Sequence, residues 1–219
     1  RNAVPLNVEL LDAWLKESEQ EYMRCLYAVS RELGFNAEPK KNSDWVRVFE
    51  KLQLPITERT DLGTPSFADD ILKHVSHPVV QQLRHAGKLA DLRSKFLKPY
   101  RESLLSDNKL RYALHQLRSD NYGTVRGRFS SSRKNIQQVP AVDKQKITFG
   151  DKYIVRELFQ SDTDIFLAAD AQQIEYRIFA HYAGSPAILE AYQKNPEISY
   201  HEFVWDMVKP YKKDITYKA

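Results

Sequence analysis

Apolar residues at helical spacing dominate the first hundred residues and set the strictest limit on what this chain can form. One series runs from Val8 to Leu33, after a candidate N-cap at Asn7 and before a candidate C-cap at Gly34. A series of this length, with polar residues between its apolar members, is typical of a long amphipathic helix. The chain is therefore predicted to begin with a helix that packs one face against other helices.

Two shorter helices are predicted next. One follows Ser43 and stops near Pro55, because proline cannot continue a helix. Ser66 and Asp69 have the spacing of a capping box, which predicts a helix over 67–75.

A further helix and then short strands are predicted in the middle of the chain. Pro78 occupies a favourable first helical position, and apolar spacing continues to Pro99 or one turn beyond it. From Lys109 onward, short β-favouring stretches such as Thr124–Phe129 are separated by turn residues. These stretches predict short antiparallel strands.

A continuous apolar run, Ile165–Ala169, ends at Asp170 and predicts a strand buried on both faces with a carboxylate at its end. Residues 173–183 return to helical spacing, and two more short helices are predicted after Ser185 and Ser199. Helices followed by a mixture of strands and helices predict the α+β class.

Positive charge is concentrated in the middle of the chain. The net charge is +4, but residues 84–134 contain 13 Lys and Arg against 4 Asp and Glu, which gives +9 there and −5 elsewhere. A basic belt of this kind fits a polyanion such as nucleic acid, and a solvated helix face is the simpler alternative.

Composition narrows the class of protein further. An apolar fraction of 42% is sufficient for a core, and a single cysteine, Cys25, excludes an internal disulfide. No apolar run approaches the roughly 18 residues of a membrane span, and the first residues lack a signal-peptide pattern. The sequence predicts a soluble intracellular protein that binds no membrane.

The stretch DAQQIEYRIFAHYAG, from Asp170 to Gly184, resembles the first carboxylate motif of family A DNA polymerases of the bacterial DNA polymerase I type. In that family a strand ends in D-x-S-Q-I-E-x-R and continues into an apolar helix. Gln172 replaces the usual serine, while Gln173, Glu175 and Arg177 are in register.

Two upstream stretches resemble the same family. GRFSSSRKNIQQVP, from Gly127 to Pro140, is similar to its G-R-L-S-S-x-x-P-N-L-Q-N-I-P signature, with Lys134 in place of the proline and Gln138 in place of the second asparagine. KLADLRSKFLKPY, which begins at Lys88, resembles its long thumb helix. The three stretches occur in the family's order.

The resemblance implies a helical thumb, part of an antiparallel-sheet palm and the start of the fingers helices. The thumb would cover residues 1–107. The N-terminal part of the palm, with the first carboxylate motif, would cover 108–185, and helices leading into the fingers would cover 186–219.

The implied activity is template-directed DNA synthesis, in which a primer 3′-hydroxyl attacks a dNTP. This transfer uses two Mg²⁺ ions, and hard cations prefer oxygen ligands. By the resemblance Asp170 would bridge both ions, and the backbone carbonyl of Ala171 would bind one of them. The simpler interpretation of Asp170 is a cap of the following helix.

The resemblance also places three side chains at the incoming nucleotide. They are Gln173, Glu175 and His201, and Glu175 would exclude a 2′-hydroxyl and so select deoxynucleotides. His201 has unusual neighbours for the family's histidine, and a surface histidine without this role is the alternative.

Other residues are implied to hold the primer-template duplex. Hydrogen-bond acceptors occupy similar places in the minor groove for all base pairs, so arginine and amide donors can bind there without reading sequence. Serine and lysine side chains suit phosphates. The implied DNA-binding residues are Arg128, Ser130, Ser131, Lys134, Asn135, Gln137, Ser94, Lys95 and Arg156.

Two parts of the family's active site are not found in the sequence: a fingers helix with its lysine, and a second metal-binding aspartate. We therefore expect the chain to be inactive alone and to need a C-terminal polymerase portion, in the same protein or in a second chain. The resemblance favours a replication or repair enzyme in the cytoplasm of a bacterial or phage-infected cell.

Two other functions remain open from the sequence. The chain could be a non-catalytic subunit, derived from a polymerase, that binds duplex DNA or organises an assembly. A relative of single-chain RNA polymerases is the second possibility, although Glu175 argues against it.

Overall fold

The computed structural model describes residues 3–119, 123–125, 127–132, 134, 136–163 and 165–211. The chain divides into two compact units, Arg1–Ile165 and Phe166–Ala219. Helices predominate, with small antiparallel sheets, and the predicted α+β class is confirmed. The first unit contains helices α1 (Val8–Leu33), α2 (Asn42–Lys51), α3 (Asp69–Leu72), α4 (Pro78–Leu92), α5 (Lys98–Ser103) and α6 (Val142–Phe149), and strands β1 (Ala3–Pro5), β2 (Lys109–Arg111), β3 (Ala113–His115) and β4 (Ser130–Ser132).

The two long helices begin and end where the sequence predicts. The Asn7 side chain accepts a hydrogen bond from the Leu10 N–H at 3.0 Å, and Gly34 ends α1 in the left-handed conformation at φ 78°. His77 caps α4, and Pro78 is its first residue.

A π-helical turn, Arg93–Leu97, joins α4 to α5 without interrupting the helix. Pro99 cannot donate a backbone hydrogen bond, and its ring would collide with the preceding turn of an α-helix. The wider turn accommodates it, because the Lys98 N–H bonds to the Arg93 carbonyl five residues earlier. The helix therefore continues one turn past Pro99, to Ser103.

The prediction for the segment after Ser66 is wrong. Helix α3 is only four residues long and begins after Ala68, without a side-chain cap. The Asp69 carboxylate instead pairs with Arg84 and Lys88, each at 2.7 Å. Contacts with α4 thus replace the local cap that the spacing indicated. Helix α2 also differs slightly, since it begins at Asn42 and not after Ser43.

Helices α1 and α4 pack side by side and contribute residues to both apolar clusters of the first unit. One cluster surrounds the N-terminal half of α1 and the other its C-terminal half. The first cluster includes Leu6, Leu11, Trp14, Leu89, Leu97, Tyr100, Leu110, Tyr153 and Leu158. The second includes Val29, Leu33, Trp45, Phe49, Leu72, Val80 and Leu83.

A buried arginine links α1 to the π-helical turn. Arg93 is only 6% exposed. Its guanidinium donates to the Leu15 carbonyl at 2.5 Å and the Ser18 hydroxyl at 2.9 Å, and pairs with Glu19 at 2.8 Å. A buried charge is tolerated only when its donors are satisfied, and here three groups of α1 satisfy them.

A second polar group joins α1, α4 and a distant part of the chain. The Glu21 carboxylate contacts His85 Nε2 at 2.7 Å and accepts a hydrogen bond from the Tyr153 hydroxyl at 2.9 Å. Burial alone would raise the pKa of Glu21, but the bonds to His85 and Tyr153 outweigh it and lower the pKa. Burial and the bond to Glu21 raise the pKa of Tyr153.

Gln145 on α6 holds the segment that contains Tyr153. Its side chain is buried, donates to the Tyr153 carbonyl at 2.9 Å and accepts from the Val155 N–H at 3.0 Å. One amide thereby satisfies two buried backbone groups before the 3₁₀ turn Val155–Leu158.

Two antiparallel strand pairs follow the helices. Strand β1 pairs with β2, with Val4 opposite Leu110, and β3 pairs with β4, with Leu114 opposite Ser131. The predicted strand at Thr124–Phe129 is wrong, because Gly127 adopts φ 72° and the Thr124 hydroxyl donates to the Arg128 carbonyl at 2.7 Å. These contacts make a turn, and pairing starts only at Ser130.

The second unit is helical. It contains α7 (Ile174–Ala183), α8 (Pro186–Lys194) and α9 (Tyr200–Val208), followed by the 3₁₀ turn Lys209–Tyr211. The three predicted helices are confirmed, with Gly184 ending α7 and a capping box of Ser199 and Glu202 beginning α9.

The buried strand predicted at Ile165–Ala169 is wrong. These residues belong to no helix or strand, and the Leu167 side chain is 93% exposed. A strand needs a neighbouring strand for its backbone hydrogen bonds, and the described residues place none beside this run. Within the described part of the chain, no helix is long and apolar enough to cross a membrane.

Replacing Gln145 with leucine should destabilise the first unit. Gln145→Leu keeps the side-chain volume but leaves the Tyr153 carbonyl and the Val155 N–H buried without this partner, which costs about 2–4 kcal/mol of unfolding free energy. Chemical denaturation measures the loss. Gln160→Leu, at an exposed position, is the matched control, and equal losses in both variants would contradict the assignment.

Glu21→Gln should lower stability in a pH-dependent way. At pH 7 we expect a loss of about 1–2 kcal/mol, because a charged hydrogen-bond acceptor is removed. Since folding lowers the pKa of Glu21, its contribution is present above the ordinary value of 4.5 and disappears as pH falls through the folded-state pKa.

The unfolding temperatures of the unaltered chain and the Glu21→Gln variant should therefore differ at pH 7 and converge below pH 4.5. Glu32→Gln, at an exposed position of α1, is the control. A difference that stays constant with pH would contradict the role of the Glu21 carboxylate.

Candidate functional site

Asp170 lies on the surface of the second unit, three residues before the N-cap of α7. It is exposed and belongs to no helix or strand, and its carboxylate has no partner among the described residues. Those residues also contain no group of three or more His, Cys, Asp or Glu side chains that could hold a metal ion. The described residues therefore present the Asp170 carboxylate to solvent and contain no assembled metal centre.

Gln173, a predicted nucleotide-binding residue, makes three side-chain hydrogen bonds within the second unit. Its side-chain oxygen accepts from the Tyr200 N–H at 2.7 Å and from the Tyr192 hydroxyl at 3.0 Å. Its side-chain nitrogen donates to the Ile198 carbonyl at 3.3 Å. The residue after the Asp170 turn is thereby bonded to the beginning of α9.

An aromatic group completes this contact between α7 and α9. The rings of Tyr176 and Tyr200 stack with centroids 4.0 Å apart and planes 10° apart. The exposed imidazole of His201 stands edge-on to both rings, 5.8 Å from Tyr176 and 6.2 Å from Tyr200. The structure thus brings His201 and Gln173 to one place.

Glu175 lies in the first turn of α7 and is exposed. An acid at this position is favoured by the partial positive charge of the helix N-terminus. Asp170 and Glu175 therefore both present side chains to solvent on the segment that begins α7.

The serine-rich strip is the stretch from Gly127 to Pro140. Several of its residues that were predicted to contact DNA bond to other residues of the same loop. The Ser130 hydroxyl accepts from the Gly123 N–H at 3.0 Å, and the Ser131 hydroxyl donates to the Lys134 carbonyl at 3.3 Å. Gln137 donates to the Phe129 carbonyl at 3.1 Å. These polar side chains shape the loop, while Arg128 is exposed; Asn135 lies outside the described residues.

The remaining residues that were predicted to contact DNA lie on two other elements. Ser94 and Lys95 are exposed on the π-helical turn, where Lys95 approaches Asp91 at 3.4 Å. Arg156, on the 3₁₀ turn before Phe159, donates to the Pro140 carbonyl at 3.0 Å and so attaches the end of the strip to this turn.

Ion pairs reduce the charge of the basic belt. Of the eleven described Lys and Arg residues in 84–134, at least seven pair with acids, and most of these acids lie outside the belt. The seven are Arg84, Lys88, Arg93, Lys95, Arg101, Lys109 and Arg111. The sequence count therefore overstates the positive charge that is available to a ligand.

Sequence analysis missed the groups that hold these elements in place. Glu21, His85 and Tyr153 are far apart in the chain, and nothing in their local sequence indicates a contact. The bond between Gln173 and Tyr200 spans 27 residues and is equally invisible in the sequence.

Similarity to known proteins covers most of the chain. Residues 9–216 match the family described as DNA polymerase family A. DNA polymerase DpoZ of Salmonella phage PMBT28 is 29% identical over 197 residues, which cover 82% of this chain and 31% of that protein. DNA polymerase I of Geobacillus stearothermophilus is 30% identical over 195 residues, which cover 87% of this chain and 21% of that protein.

A solved structure shares the fold. It is the POL domain of Pol1 from M. smegmatis in complex with DNA primer-template and dNTP, with a TM-score of 0.64 and 21% identity over 88% of this chain and 33% of that one. The chain thus spans a third or less of the proteins it resembles. Because the family match extends over nearly all of its residues, this chain belongs to DNA polymerase family A.

Proposed function

We propose that this chain is the thumb and the N-terminal part of the palm of a DNA polymerase that transfers nucleotides from dNTPs to a primer 3′-hydroxyl. The thumb would cover 1–107, the palm part 108–185 and the helices leading into the fingers 186–219. The family match over residues 9–216 is the observation that carries this proposal. Primer-template DNA and dNTP, the ligands named for the M. smegmatis structure, are the proposed ligands here.

Two surfaces of the first unit are proposed to bind the duplex. One is the strip after Gly127, where Arg128 is exposed and the serines hold the loop in shape. The other is the π-helical turn, which presents Ser94 and Lys95. Arginine and amide donors suit the minor groove, and lysine and serine suit phosphates, so this set binds DNA without selecting sequence.

The second unit is proposed to contribute one side of the nucleotide site. Glu175 would exclude the 2′-hydroxyl of a ribonucleotide, and His201 would donate to the triphosphate. Both side chains are exposed, and His201 lies against Tyr176 of the same helix as Glu175, which supports these roles. Selection of deoxynucleotides would follow from the space that the Glu175 carboxylate occupies.

The described residues offer only part of what a Mg²⁺ site needs. The Asp170 carboxylate is exposed, and with the Ala171 carbonyl it could provide oxygen ligands. Among the described residues, no group of three or more His, Cys, Asp or Glu side chains completes a metal site there. When bound, two Mg²⁺ ions would activate the primer hydroxyl and hold the triphosphate; we assign the other ligands to the C-terminal portion of the polymerase.

Exposed apolar side chains support the proposal that a C-terminal portion of the polymerase packs against this chain. Phe166 and Leu167 in the apolar run, and Ile178, Phe179 and Tyr182 on α7, are all exposed. Several large apolar side chains exposed within so short a stretch suit an interaction site. We propose that the C-terminal portion covers it and provides the neighbouring strands that the run at Ile165–Ala169 lacks.

Loss of charge from the strip should weaken duplex binding. We expect Arg128→Ala and Lys134→Ala each to lower affinity for a primer-template duplex, and Lys134→Ala, at the proposed phosphate contact, to reduce the slope of log affinity against log salt by about one. Fluorescence anisotropy at several salt concentrations measures both quantities. Lys51→Ala on α2 removes the same charge from an exposed position and is the control; equal effects in all three variants would remove the strip from the interface.

Primer extension tests the proposed activity. We expect no extension by this chain alone, and extension when the C-terminal polymerase portion is supplied with Mg²⁺ and dNTPs. Asp170→Asn should then reduce the rate more than about a hundredfold, because a direct metal ligand is lost. Asp206→Asn, an exposed acid on α9, is the control.

Two outcomes would contradict the proposal. Extension by the chain alone would show that its active site is complete. Full activity of the Asp170→Asn variant in the completed enzyme would support a non-catalytic DNA-binding role.

A further inference from the structure

Gln173 and Arg177 both belong to the motif Asp170–Gly184. Their side chains contact α8, the first residue of α9 and the segment between these two helices. Gln173 bonds to Tyr192, Ile198 and Tyr200. The Arg177 guanidinium lies over the Tyr192 ring, 4.5 Å from its centroid, and donates to the Pro196 carbonyl. The segment is therefore attached to the beginning of α7 at several points.

The backbone of Gln173 adopts an uncommon conformation next to these bonds. Gln173 adopts φ 53° and ψ 35°, a left-handed conformation that is uncommon for residues other than glycine. Such a conformation persists only where surrounding contacts hold it. Here the contacts come from the amide group of the Gln173 side chain.

The amide of Gln173 has little bonding capacity left for a ligand. Its oxygen can accept two hydrogen bonds, and both are made, to Tyr200 and Tyr192. One of its two N–H donors is used by the Ile198 carbonyl. A nucleotide could reach only the remaining N–H.

The bond to Tyr200 fixes the beginning of α9. Tyr200 is the first residue of this helix, so its N–H has no partner within the helix, and the Gln173 oxygen supplies one. Ser199 and Glu202 satisfy neighbouring groups through their capping box. His201 follows Tyr200 directly, so its position depends on the same bond.

We propose that Gln173 is a positioning residue, which fixes Tyr200 and His201 relative to the Asp170 segment, and that it is not a nucleotide ligand. The value of this positioning for catalysis rests on the proposed function. The positioning itself is a property of the second unit and can be measured without polymerase activity.

Amide hydrogen exchange of Tyr200 in this chain is the first test. Gln173→Ala should speed exchange of the Tyr200 amide about fivefold or more, because it removes the acceptor. Gln173→Glu retains an oxygen acceptor for Tyr200 but loses the N–H that bonds to the Ile198 carbonyl, so the Tyr200 amide should stay better protected than in Gln173→Ala. Gln193→Ala, an exposed glutamine on α8, is the control and should change nothing.

The His201 ring protons give a second signal in NMR spectra, because the neighbouring Tyr176 and Tyr200 rings shift their resonances. Gln173→Ala should move these resonances, and Gln173→Glu should restore them. Tyr192→Phe removes only one bond to the Gln173 oxygen and should produce a smaller change in the same direction. This variant decides the matter if Gln173→Ala does not fold.

Steady-state kinetics of the completed polymerase separates positioning from direct contact. If Gln173 only positions His201, Gln173→Ala should add no loss of kcat/KM to that of His201→Ala, and Tyr192→Phe should show part of the Gln173→Ala loss. A direct ligand predicts that the loss of Gln173→Ala adds to that of His201→Ala, while Tyr192→Phe has no effect.

The outcomes distinguish this inference from the proposed function. Unchanged exchange of the Tyr200 amide in Gln173→Ala, or a loss in Gln173→Ala that adds fully to that of His201→Ala, would overturn the positioning role and leave the polymerase assignment intact. Absence of extension by the completed enzyme would overturn the proposed function and would not alter the exchange result.

Discussion

Helix α1 packs along α4, and polar side chains at two points determine how the two helices meet. Arg93 donates to groups of α1 from the π-helical turn, and Glu21 of α1 contacts His85 of α4 and Tyr153. Apolar packing alone would permit sliding, because it is not directional. The buried arginine and the partly buried carboxylate have few satisfactory positions, so they specify one register of the helices and one attachment of the segment around Tyr153.

The proposed DNA-binding surfaces lie on elements that these polar contacts hold in place. Gln145 and Tyr153 hold the turn Val155–Leu158, and Arg156 on that turn bonds to Pro140 at the end of the serine-rich strip. The π-helical turn that Arg93 anchors also presents Ser94 and Lys95. These surface residues thus lie on elements that buried groups hold in position, as a binding surface on a rigid scaffold requires.

The second unit combines a well-bonded turn with an uncovered surface. Gln173 and Arg177 hold the start of α9, whereas the apolar run before Asp170 remains exposed and the described residues contain no complete metal site. The bonds made by Gln173 are local to this unit, so they form without further polypeptide. Burial of the run requires groups that the described residues do not supply, and the proposed metal site would require them too.

Local signals in the sequence were sufficient for the long helices, the helices of the second unit and the α+β class. Asn7, Gly34, Pro78 and Ser199 act on the backbone within a few residues, so their effect does not depend on the rest of the fold. The family motif likewise identifies candidate residues such as Asp170 from order and spacing. Only the tertiary structure decided how Asp69 and Gln173 are used and whether the run at Ile165–Ala169 forms a strand. These outcomes depend on contacts with residues distant in the sequence, or on neighbouring strands, and no local pattern contains that information.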